Sequence, residues 1–459
     1  MTVSFWLEDA GDDLTPRPPL DGSRHVDVTI VGAGYTGLWT AREILRRDPS
    51  RSVLVCEAHI AGYGASGRNG AWLTAGLAVG ASELARRTSP EVARETVTAM
   101  RATIDEVARA CDEDGIDARI RHGGVLRVAR GRHEVPALTT AMAALEGLGL
   151  ADGVAVLSRD QVAERVRIDG ALGALFDRHG ATIHPGRLVR GLARAVERRG
   201  AVIAERTRVT RVVPGSGGDR PRVVTDRGEV TAEAVVLACE AWLPQLPGHR
   251  RDLLPLYSLI VLTEPLDDDT WAQIGWAGNE LLSSHRYTID YLSRTSDGRV
   301  LFGGRGAPYH YGSRIAPAFD RHAATHAQLR SHLASWFPAL AEVDITHEWG
   351  GPIGMPRDWL PSVRFDPATG VGAAVGYTGQ GVGTSNLAGR ILGDLVVDGE
   401  TPYRALPMVG HRPRRWEPEP LRWLAARYLQ VALARIDDRS ARTGRPPTGR
   451  SIAERLVRR

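Results

Sequence analysis

Apolar and polar positions near the start of the chain follow two different periods. The run VDVTIVG, from Val26, is short, apolar and β-branched, as in a buried parallel strand. The segment YTGLWTAREILRRD that follows places its apolar residues at helical intervals, and SVLVCE is again a strand pattern. These segments predict a strand–helix–strand unit of roughly thirty residues, which is a building block of parallel sheets.

The same reading predicts the elements further along the chain. Residues 86–150 are expected to be helical, with a hairpin in ARIRHGGVLRVAR and a helix that begins at the Ser89 cap and ends at Gly115. HPGRLVRGLARAVERRG predicts a helix, and AVIAERTRVTRVVP, RVVTDRG and EVTAEAVVLACEAW predict strands. RYTIDYLSRTSDGRVLFGG predicts two strands joined at Asp297-Gly298. From EWGGPIGMPRDWLP onward the pattern is strand, glycine-rich turn and helix.

A chain of 459 residues is longer than one hydrophobic core usually supports, so two domains are expected. The order of the predicted elements indicates the following division: an N-terminal arm, 1–25; a discontinuous first domain, 26–85, 151–249 and 346–405; a second domain, 86–150 and 250–345; and a basic helical extension, 406–459.

Composition narrows the class of protein. The chain is 43% hydrophobic and 24% charged, and it contains no apolar run near the roughly 18 residues of a membrane helix. Its N-terminus lacks the basic and apolar regions of a signal peptide. Three scattered cysteines are too few for a disulfide framework or a zinc site. We therefore expect a cytoplasmic protein without a membrane span or a metal centre.

All 58 basic residues are arginine. The absence of lysine excludes a lysine Schiff base, hence pyridoxal phosphate chemistry, and a Walker P-loop. Arginine is concentrated in His411–Arg459, with 13 Arg against 5 acidic residues. Such a tail could contact nucleic acid or a membrane, but EPLRWLAARYLQVALARI spaces its apolar residues as a helix does. We expect a helix packed on the body with a solvated arginine face, and no nucleic-acid partner.

The first motif that carries chemistry is VGAGYTG. It places Gly32, Gly34 and Gly37 as G-x-G-x-x-G between the first strand and the first helix, with Glu57 at the end of the second strand. The glycines allow a tight turn, close approach of a pyrophosphate and close helix packing, while the helix N-terminus attracts the phosphates. A carboxylate at Glu57 is suited to accept hydrogen bonds from ribose hydroxyls. The unit predicts dinucleotide binding.

A second glycine-rich loop, AGYGASGRNGAW, follows Glu57. An NAD-binding domain would normally continue directly into its next helix. A loop here, with Ser66, Arg68 and Asn69 among its glycines, favours a larger ligand whose pyrophosphate and ring pass beyond the first unit. The two loops together favour FAD.

With these motifs the chain resembles the D-amino-acid oxidase-like superfamily of FAD-dependent oxidoreductases, and in particular the gamma-glutamylputrescine oxidase-like branch. HPGRLVRGLARAVERRGAVIAERTRV, AVVLACEAW and GYTGQGVGTSNLAGRILGDL also resemble family segments, so the similarity runs from about Val26 to Gly399. The resemblance implies an α/β protein. The first domain, 26–85, 151–249 and 346–405, would be the FAD-binding (cofactor) domain, Rossmann-like and of the glutathione-reductase type. The second, 86–150 and 250–345, would be an α+β substrate-binding domain with a mixed or antiparallel sheet.

The resemblance also implies which residues contact the cofactor. Val209 would contact the adenine side through its backbone, GYTGQG would lie at the pyrimidine edge of the flavin, and a helix starting near Thr384 would point its N-terminus at N1 and the C2 carbonyl. The expected cofactor-binding residues are Gly32, Ala33, Gly34, Tyr35, Thr36, Gly37, Glu57, Ala58, Gly64, Ala65, Ser66, Arg68, Asn69, Gly70, Val209, Gly379, Gln380, Gly381, Val382 and Thr384.

The chain departs from some members of this superfamily. Sarcosine oxidase-like members use a lysine near the flavin to activate oxygen, and a C-terminal cysteine to attach it. Here there is no lysine, and the last cysteine, Cys239, lies in a segment that reads as a buried strand. Dimethylglycine dehydrogenase-like members use a histidine where Ala71-Trp72-Leu73 stands. We therefore expect non-covalent FAD, and the electron acceptor is either oxygen or another molecule.

The chemistry implied is removal of a hydride from the carbon beside a neutral amine to flavin N5, after which the imine hydrolyses. This needs no acid–base pair, because the cofactor performs the difficult step. Candidate site residues are Arg305, His184, Trp72 and Tyr377, followed by Tyr309 and His310. Each has a plainer interpretation: Arg305 as a structural pair, His184 as a helix cap, Trp72 as core.

Two other functions remain open at this stage. One keeps FAD but oxidises an alcohol or a hydroxy acid, which usually requires a base and an anion-binding cluster. The other is a non-catalytic flavin-binding partner protein that docks through its basic C-terminal segment. The leading hypothesis is oxidation of an amine or amino acid.

Overall fold

The fold was examined in a computed structural model that describes residues 3–457. Its strands are β1 (Arg24–Val31), β2 (Val53–Cys56), β3 (Trp72–Thr74), β4 (Arg121–His122), β5 (Val125–Ala129), β6 (Val154–Ser158), β7 (Gly173–Asp177), β8 (Gly180–Thr182), β9 (Val202–Ala204), β10 (Val209–Val213), β11 (Arg222–Thr225), β12 (Glu229–Leu237), β13 (Leu254–Thr263), β14 (Leu281–Ser284), β15 (Asp290–Arg294), β16 (Val300–Arg305), β17 (Ile345–Met355), β18 (Ser362–Asp366) and β19 (Val371–Val375).

The α-helices are α1 (Phe5–Glu8), α2 (Tyr35–Arg47), α3 (Ala81–Arg87), α4 (Pro90–Asp114), α5 (Val135–Gly147), α6 (Arg159–Arg165), α7 (Pro185–Arg198), α8 (Asp268–Ile274), α9 (Ala323–Trp336), α10 (Gly381–Val397), α11 (Leu421–Thr443) and α12 (Ile452–Leu456). Across residues 3–457, none of them combines the length and apolar character needed to cross a membrane.

The first sheet is built around the predicted strand–helix–strand unit. Its order is β10-β11-β12-β1-β2-β9, and β19 joins β12 in parallel with β18 antiparallel to it. β1 runs parallel to both β2 and β12, so their carboxyl ends meet at one edge. All four residues of β2 are buried, as expected for a parallel strand covered on both faces. That edge is where nucleotides bind in open α/β sheets.

Helices α2, α4, α7 and α10 contribute to the main core on one face of this sheet. α10 lies directly against α2, because its glycines remove the side chains that would separate them. A Cβ at Gly389 would overlap Trp39. This close packing fixes the N-terminus of α10 beside the N-terminus of α2, where Tyr377 and Thr36 share a hydrogen bond of 2.9 Å.

The second sheet has the order β17-β13-β16-β15-β14-β5-β7-β6. Its pairs are antiparallel except β14 with β5, so the predicted mixed sheet is confirmed. β15 and β16 form the predicted hairpin through Asp297-Gly298. Leu126, Leu259 and Phe302 pack with α9 residues in the core on one face. A short third sheet, β3-β8-β4, lies apart from both.

Strand pairing divides the chain differently from the sequence-based domain boundaries. β6, β7 and β17 belong to the second sheet, although 151–249 and 346–405 were expected in the cofactor domain. α4, expected in the substrate domain, packs in the core of the first sheet. The hairpin expected in ARIRHGGVLRVAR does not form, because β4 pairs with β8 while β5 pairs with β7 and β14. These partners are distant in sequence, so local patterns could not identify them.

The C-terminal extension forms α11, which packs on the body through Ala426, Trp423 and Leu433. Its exposed residues include arginines, as expected, and also large apolar side chains: Arg435, Arg439 and Arg442, and Leu421, Leu424, Tyr428 and Val431.

α11 and the segment before it also hold two loops of the second sheet. Asp437 accepts hydrogen bonds from the amides of Tyr287 and Thr288, at 3.0 and 2.9 Å. Gln430 donates to the Ala307 carbonyl at 2.7 Å, and Glu419 accepts from the Tyr309 hydroxyl at 2.7 Å.

Candidate functional site

A cavity of about 820 Å³ lies between the two sheets. One side is formed by the turns that follow β1, β2 and β12, and the other by the face of the second sheet. Most of the residues predicted from the sequence line it. They are Gly32, Gly34, Tyr35, Thr36, Glu57, Ala58, Gly64, Ala65, Ser66, Arg68, Asn69, Gly70, Trp72, Val209, Arg305, Tyr377, Gly379, Gln380, Gly381 and Val382.

The first glycine motif forms the turn between β1 and α2. Gly32 has a φ of +108°, which favours glycine, and its amide donates to the Cys56 carbonyl at 2.8 Å. Glu57 accepts from the amides of Ala33 and His59, both at 2.9 Å. Burial raises the pKa of Glu57 despite these two amides. The turn and the carboxyl group therefore form one hydrogen-bonded unit at the edge of the sheet.

The second glycine loop is held by Arg68, whose exposed fraction is 3%. Its Nη1 donates to Asp320 Oδ2 at 2.6 Å and to the Gly350 carbonyl at 3.1 Å, and its Nε donates to the Tyr63 carbonyl at 2.7 Å. Its Nη2 is buried and makes no hydrogen bond with residues 3–457. A buried donor of this kind costs free energy unless a ligand satisfies it.

The third loop, residues 376–381, is fixed from two sides. Glu240 accepts from the amides of Gly376 and Tyr377, at 2.7 and 3.2 Å. Arg305 Nη2 donates to the Thr378 carbonyl at 3.0 Å. Arg305 therefore ties the end of β16 in the second sheet to the loop that leads into α10.

Glu240 should make stability depend on pH. Burial raises its pKa from 4.5 to about 7, so the folded protein binds this proton more tightly than the unfolded chain does. The contribution is present below about pH 4.5 and is lost as pH rises through about 7. Relative to the wild type, Glu240→Gln should gain about 3 kcal/mol of stability between pH 4.5 and pH 8. Melting temperatures of both proteins across that range measure it; a pH-independent difference would contradict the assignment.

The wall formed by the second sheet is aromatic and polar. Trp72 donates through Nε1 to the Leu292 carbonyl at 3.2 Å and meets the ring of Tyr291 edge-on, with centroids 6.2 Å apart. The Tyr291 hydroxyl lies 3.0 Å from Ser258 Oγ. Because these side chains hold each other, they form a rigid surface against which a small molecule can be oriented.

Some predicted residues lie outside the cavity lining. His184 caps α7 by accepting from the Arg187 amide at 3.1 Å, and its Nε2 lies 3.0 Å from Asp9. Its plainer interpretation, a helix cap, matches this placement. Tyr309 binds Glu419, and His310 stacks on Phe319 with ring centroids 3.4 Å apart.

Three residues expected to bind the cofactor have structural contacts instead. The Ala33 amide bonds Glu57, and Gly37 lies against the Gly32 carbonyl and Ile30. Thr384 is fully buried and donates to the Gln380 carbonyl at 2.7 Å. The helix was expected to start near Thr384, but α10 begins at Gly381. Its first residues on the cavity are therefore Gly381 and Val382.

The interpretation of Cys239 as part of a buried strand was wrong. β12 ends at Leu237, and Cys239 lies in the following turn, where it lines the cavity. Burial raises the pKa of its thiol to about 12, so it is a protonated and poorly nucleophilic cysteine. Among residues 3–457, no group of three or more His, Cys, Asp or Glu could hold a metal ion.

Several cavity residues were missed by the sequence reading. Glu240, Tyr291 and Arg127 line the cavity, together with Ser283 and His285. One local signal was available for Arg127, since VLRVA places a charged residue in the middle of an apolar strand. For the others, the position depends on which strands become neighbours.

Comparison with known proteins agrees with this arrangement. Residues 27–395 match the family described as FAD dependent oxidoreductase, DAO. The gamma-glutamylputrescine oxidoreductase of Escherichia coli (strain K12) is 29% identical over 416 residues, covering 90% of this chain and 93% of that protein. The probable oxidoreductase OrdL of Rhizobium meliloti (strain 1021) is 28% identical, covering 86% and 89%. Glycine oxidase from Geobacillus kaustophilus superimposes with a TM-score of 0.70 at 23% identity, covering 84% of this chain and 99% of that one.

Proposed function

Because the chain belongs to the family of DAO FAD-dependent oxidoreductases, which bind FAD, we propose that it oxidises the carbon–nitrogen bond of an amine or amino acid. The product would be an imine, which water converts to a carbonyl compound and an amine or ammonia. Relatives named for such substrates support this proposal, among them the gamma-glutamylputrescine oxidoreductase.

The observation that carries the proposal is the continuity of the cavity. It connects the turns at the edge of the first sheet with the aromatic wall of the second, without an intervening layer. A small molecule bound against Trp72 and Tyr291 would therefore lie beside a dinucleotide bound to the turns. Proximity of this kind is what hydride transfer requires.

The turn that follows β1, Glu57 and the second glycine loop, together called the cofactor cradle, fit FAD. A Cβ at Gly34 would come within 3.0 Å of Ser66 Oγ, and one at Gly70 would overlap the Tyr291 ring, so glycine lets the first turn pack on the second loop and the second loop pack on the aromatic wall. Arg68 Nη2 offers an unsatisfied buried donor. We propose that these residues, with Glu57 at the ribose and Val209 at the adenine side, hold FAD without a covalent bond. When bound, FAD supplies the acceptor for the substrate hydride.

The protein side chains would orient the substrate and keep the site dry. Trp72 and Tyr291 restrict its position, and their faces attract an amine cation through the ring quadrupole. Arg305 fixes the loop at Thr378 and supplies positive charge beside it. Since the chain has no lysine, any cation that assists reaction with oxygen must be arginine or histidine.

The test is reduction of the flavin by candidate substrates without oxygen. Primary amines, N-methyl amines, polyamines and amino acids would be added anaerobically while the visible absorbance of oxidised flavin is recorded. We expect one class to bleach it, with an imine or carbonyl product. Readmitted air then shows whether oxygen is the acceptor. A flavin that responds only to alcohols or hydroxy acids, or to no small molecule, would refute the proposal in favour of those alternatives.

A further inference from the structure

Arg127 places a cation at the wall of the cavity formed by the second sheet. It lies at the centre of β5, between Leu126 and Val128, which pack into the core on the opposite face. Its side chain lines the cavity. The residue is exposed through this cavity, and partial desolvation by the cavity walls lowers the pKa of its guanidinium.

No carboxylate among residues 3–457 forms an ion pair with Arg127 within the 4.0 Å limit for such pairs. Asp177 affects Arg127 only through longer-range electrostatics, and the carboxylate of Asp177 bonds His179 at 2.6 Å. Asp290 accepts from the amide and the hydroxyl of Ser284, at 2.8 and 2.7 Å. The nearby carboxylates are thus engaged elsewhere.

His285, which also lines the cavity beside Arg127, adds no charge. Its ring hydrogen-bonds the backbone of Arg127, and its Nε2 is buried without a partner in the described part of the chain. Burial and the positive charge of Arg127 lower its pKa to about 4, so the ring is neutral near pH 7. A neighbouring cation on this wall, Arg286, lies near Asp437 and Asp438, at 3.7 and 3.6 Å.

The cavity runs across the strands of the second sheet. The strand order β13-β16-β15-β14-β5 places Ser258, Arg305, Tyr291, Ser283 and Arg127 on successive strands, and all five line the cavity. Neighbouring strands lie about 4.8 Å apart, so β5 is about 14 Å from β16. Arg127 is therefore far from the end where Arg305 contacts the loop at Thr378.

We propose that Arg127 binds a carboxylate at the far end of an extended amine substrate. This inference rests on the proposed function and specifies its substrate class. The proposed function places the reacting carbon against Trp72 and Tyr291, and the strand that carries Tyr291, β15, lies two strands or about 10 Å from β5. The carboxylate of a simple α-amino acid is attached to that carbon, so a carboxylate further along an extended chain is better placed to reach Arg127. A guanidinium offers two parallel donors that match a carboxylate, and Arg127 presents them to the cavity without a carboxylate partner among the described residues.

Matched substrates test the proposal. In the FAD-loaded protein, kcat/KM for ω-aminocaprylate should exceed that for octylamine, which has the same chain without the carboxylate. Arg127→Met should lower that preference about 10- to 100-fold, the range for a hydrogen bond between charged groups. Arg127→Lys should restore part of it. Arg94→Met, at an exposed position of α4, should keep the wild-type preference.

A second measurement separates this proposal from the proposed function. Caprylate, which has no amine, should bind the wild type and lose at least about 10-fold in affinity in Arg127→Met, by calorimetry. Equal binding by both proteins would overturn the Arg127 site even if amines reduce the flavin. Failure of every amine with preserved caprylate discrimination would refute only the proposed function. Arg127→Met should not lower the melting temperature without ligand, because it removes an unpaired charge; a fall would mean a structural role.

Discussion

Gly37→Val should yield a protein that loses its flavin during purification. Gly37 lies in the first turn of α2, where a Cβ would overlap the Gly32 carbonyl oxygen and come within 3.1 Å of Ile30. The overlap is with backbone, so rotating a side chain cannot relieve it. Displacing α2 from β1 would move the helix amides away from the pyrophosphate. If this overpacking destabilises the FAD-binding conformation by about 3 kcal/mol, the Kd for FAD rises about 100-fold.

The ratio of visible to ultraviolet absorbance after gel filtration measures flavin content, and titration of the apoprotein gives the Kd. Gly147→Val is a matched control, because Gly147 ends α5 and a Cβ there meets nothing within 4 Å. Stoichiometric flavin in Gly37→Val would show that this glycine does not set the approach of helix and cofactor.

Arg68→Met should lower both stability and flavin affinity. It removes the 2.6 Å ion pair with Asp320 and the bonds that join the second glycine loop to Gly350 of β17. Asp320, whose side chain is 16% exposed, would remain largely buried without a cation, and burial already raises its pKa. Breaking one side of a buried pair costs about 3–5 kcal/mol. The unsatisfied Nη2 offered to FAD would also be lost.

Asp320→Asn separates the two effects. It breaks the ion pair but leaves Arg68 Nη2 and the bond to Tyr63 in place, so we expect a lower melting temperature with flavin largely retained. The double variant Arg68→Met, Asp320→Asn should be more stable than the sum of the single changes predicts, because it leaves no buried charge. Additive melting data, or flavin loss equal in both single variants, would contradict separate roles for the two contacts.

The nucleotide-binding turns could be predicted because all of their signals are local. The strand before Gly32, the spacing to Gly37 and the acid at Glu57 lie within one strand–helix–strand unit. The fold class was implied by the family resemblance of these and other segments, and the DAO match confirms it. Local patterns also predicted the β15–β16 hairpin and the bounds of α4 closely.

The wall of the second sheet could not be predicted in this way. Arg127 reaches the cavity because β5 pairs with β14, which lies far along the chain. Likewise the sequence placed β6 and β7 in the cofactor domain, whereas β7 pairs with β5 and β6 with β7, so both belong to the second sheet. His184 shows a different case: a histidine before proline fits both a pocket and a helix cap, and the hydrogen bond that it accepts from the Arg187 amide identifies the cap.

The position of α11 bears on how enzymes of this kind diverge. α11 lies beyond the residues that match the family, 27–395, yet Asp437 holds the loop at Tyr287 and Thr288, next to Arg286 on the cavity wall. Under the proposed function, mutations in α11 would alter the substrate end of the cavity through this loop rather than through the turns proposed to hold FAD. On this proposal, substitutions in α11 change substrate specificity and leave flavin binding in place. Libraries of variants confined to α11 and the loop it holds can exploit this separation.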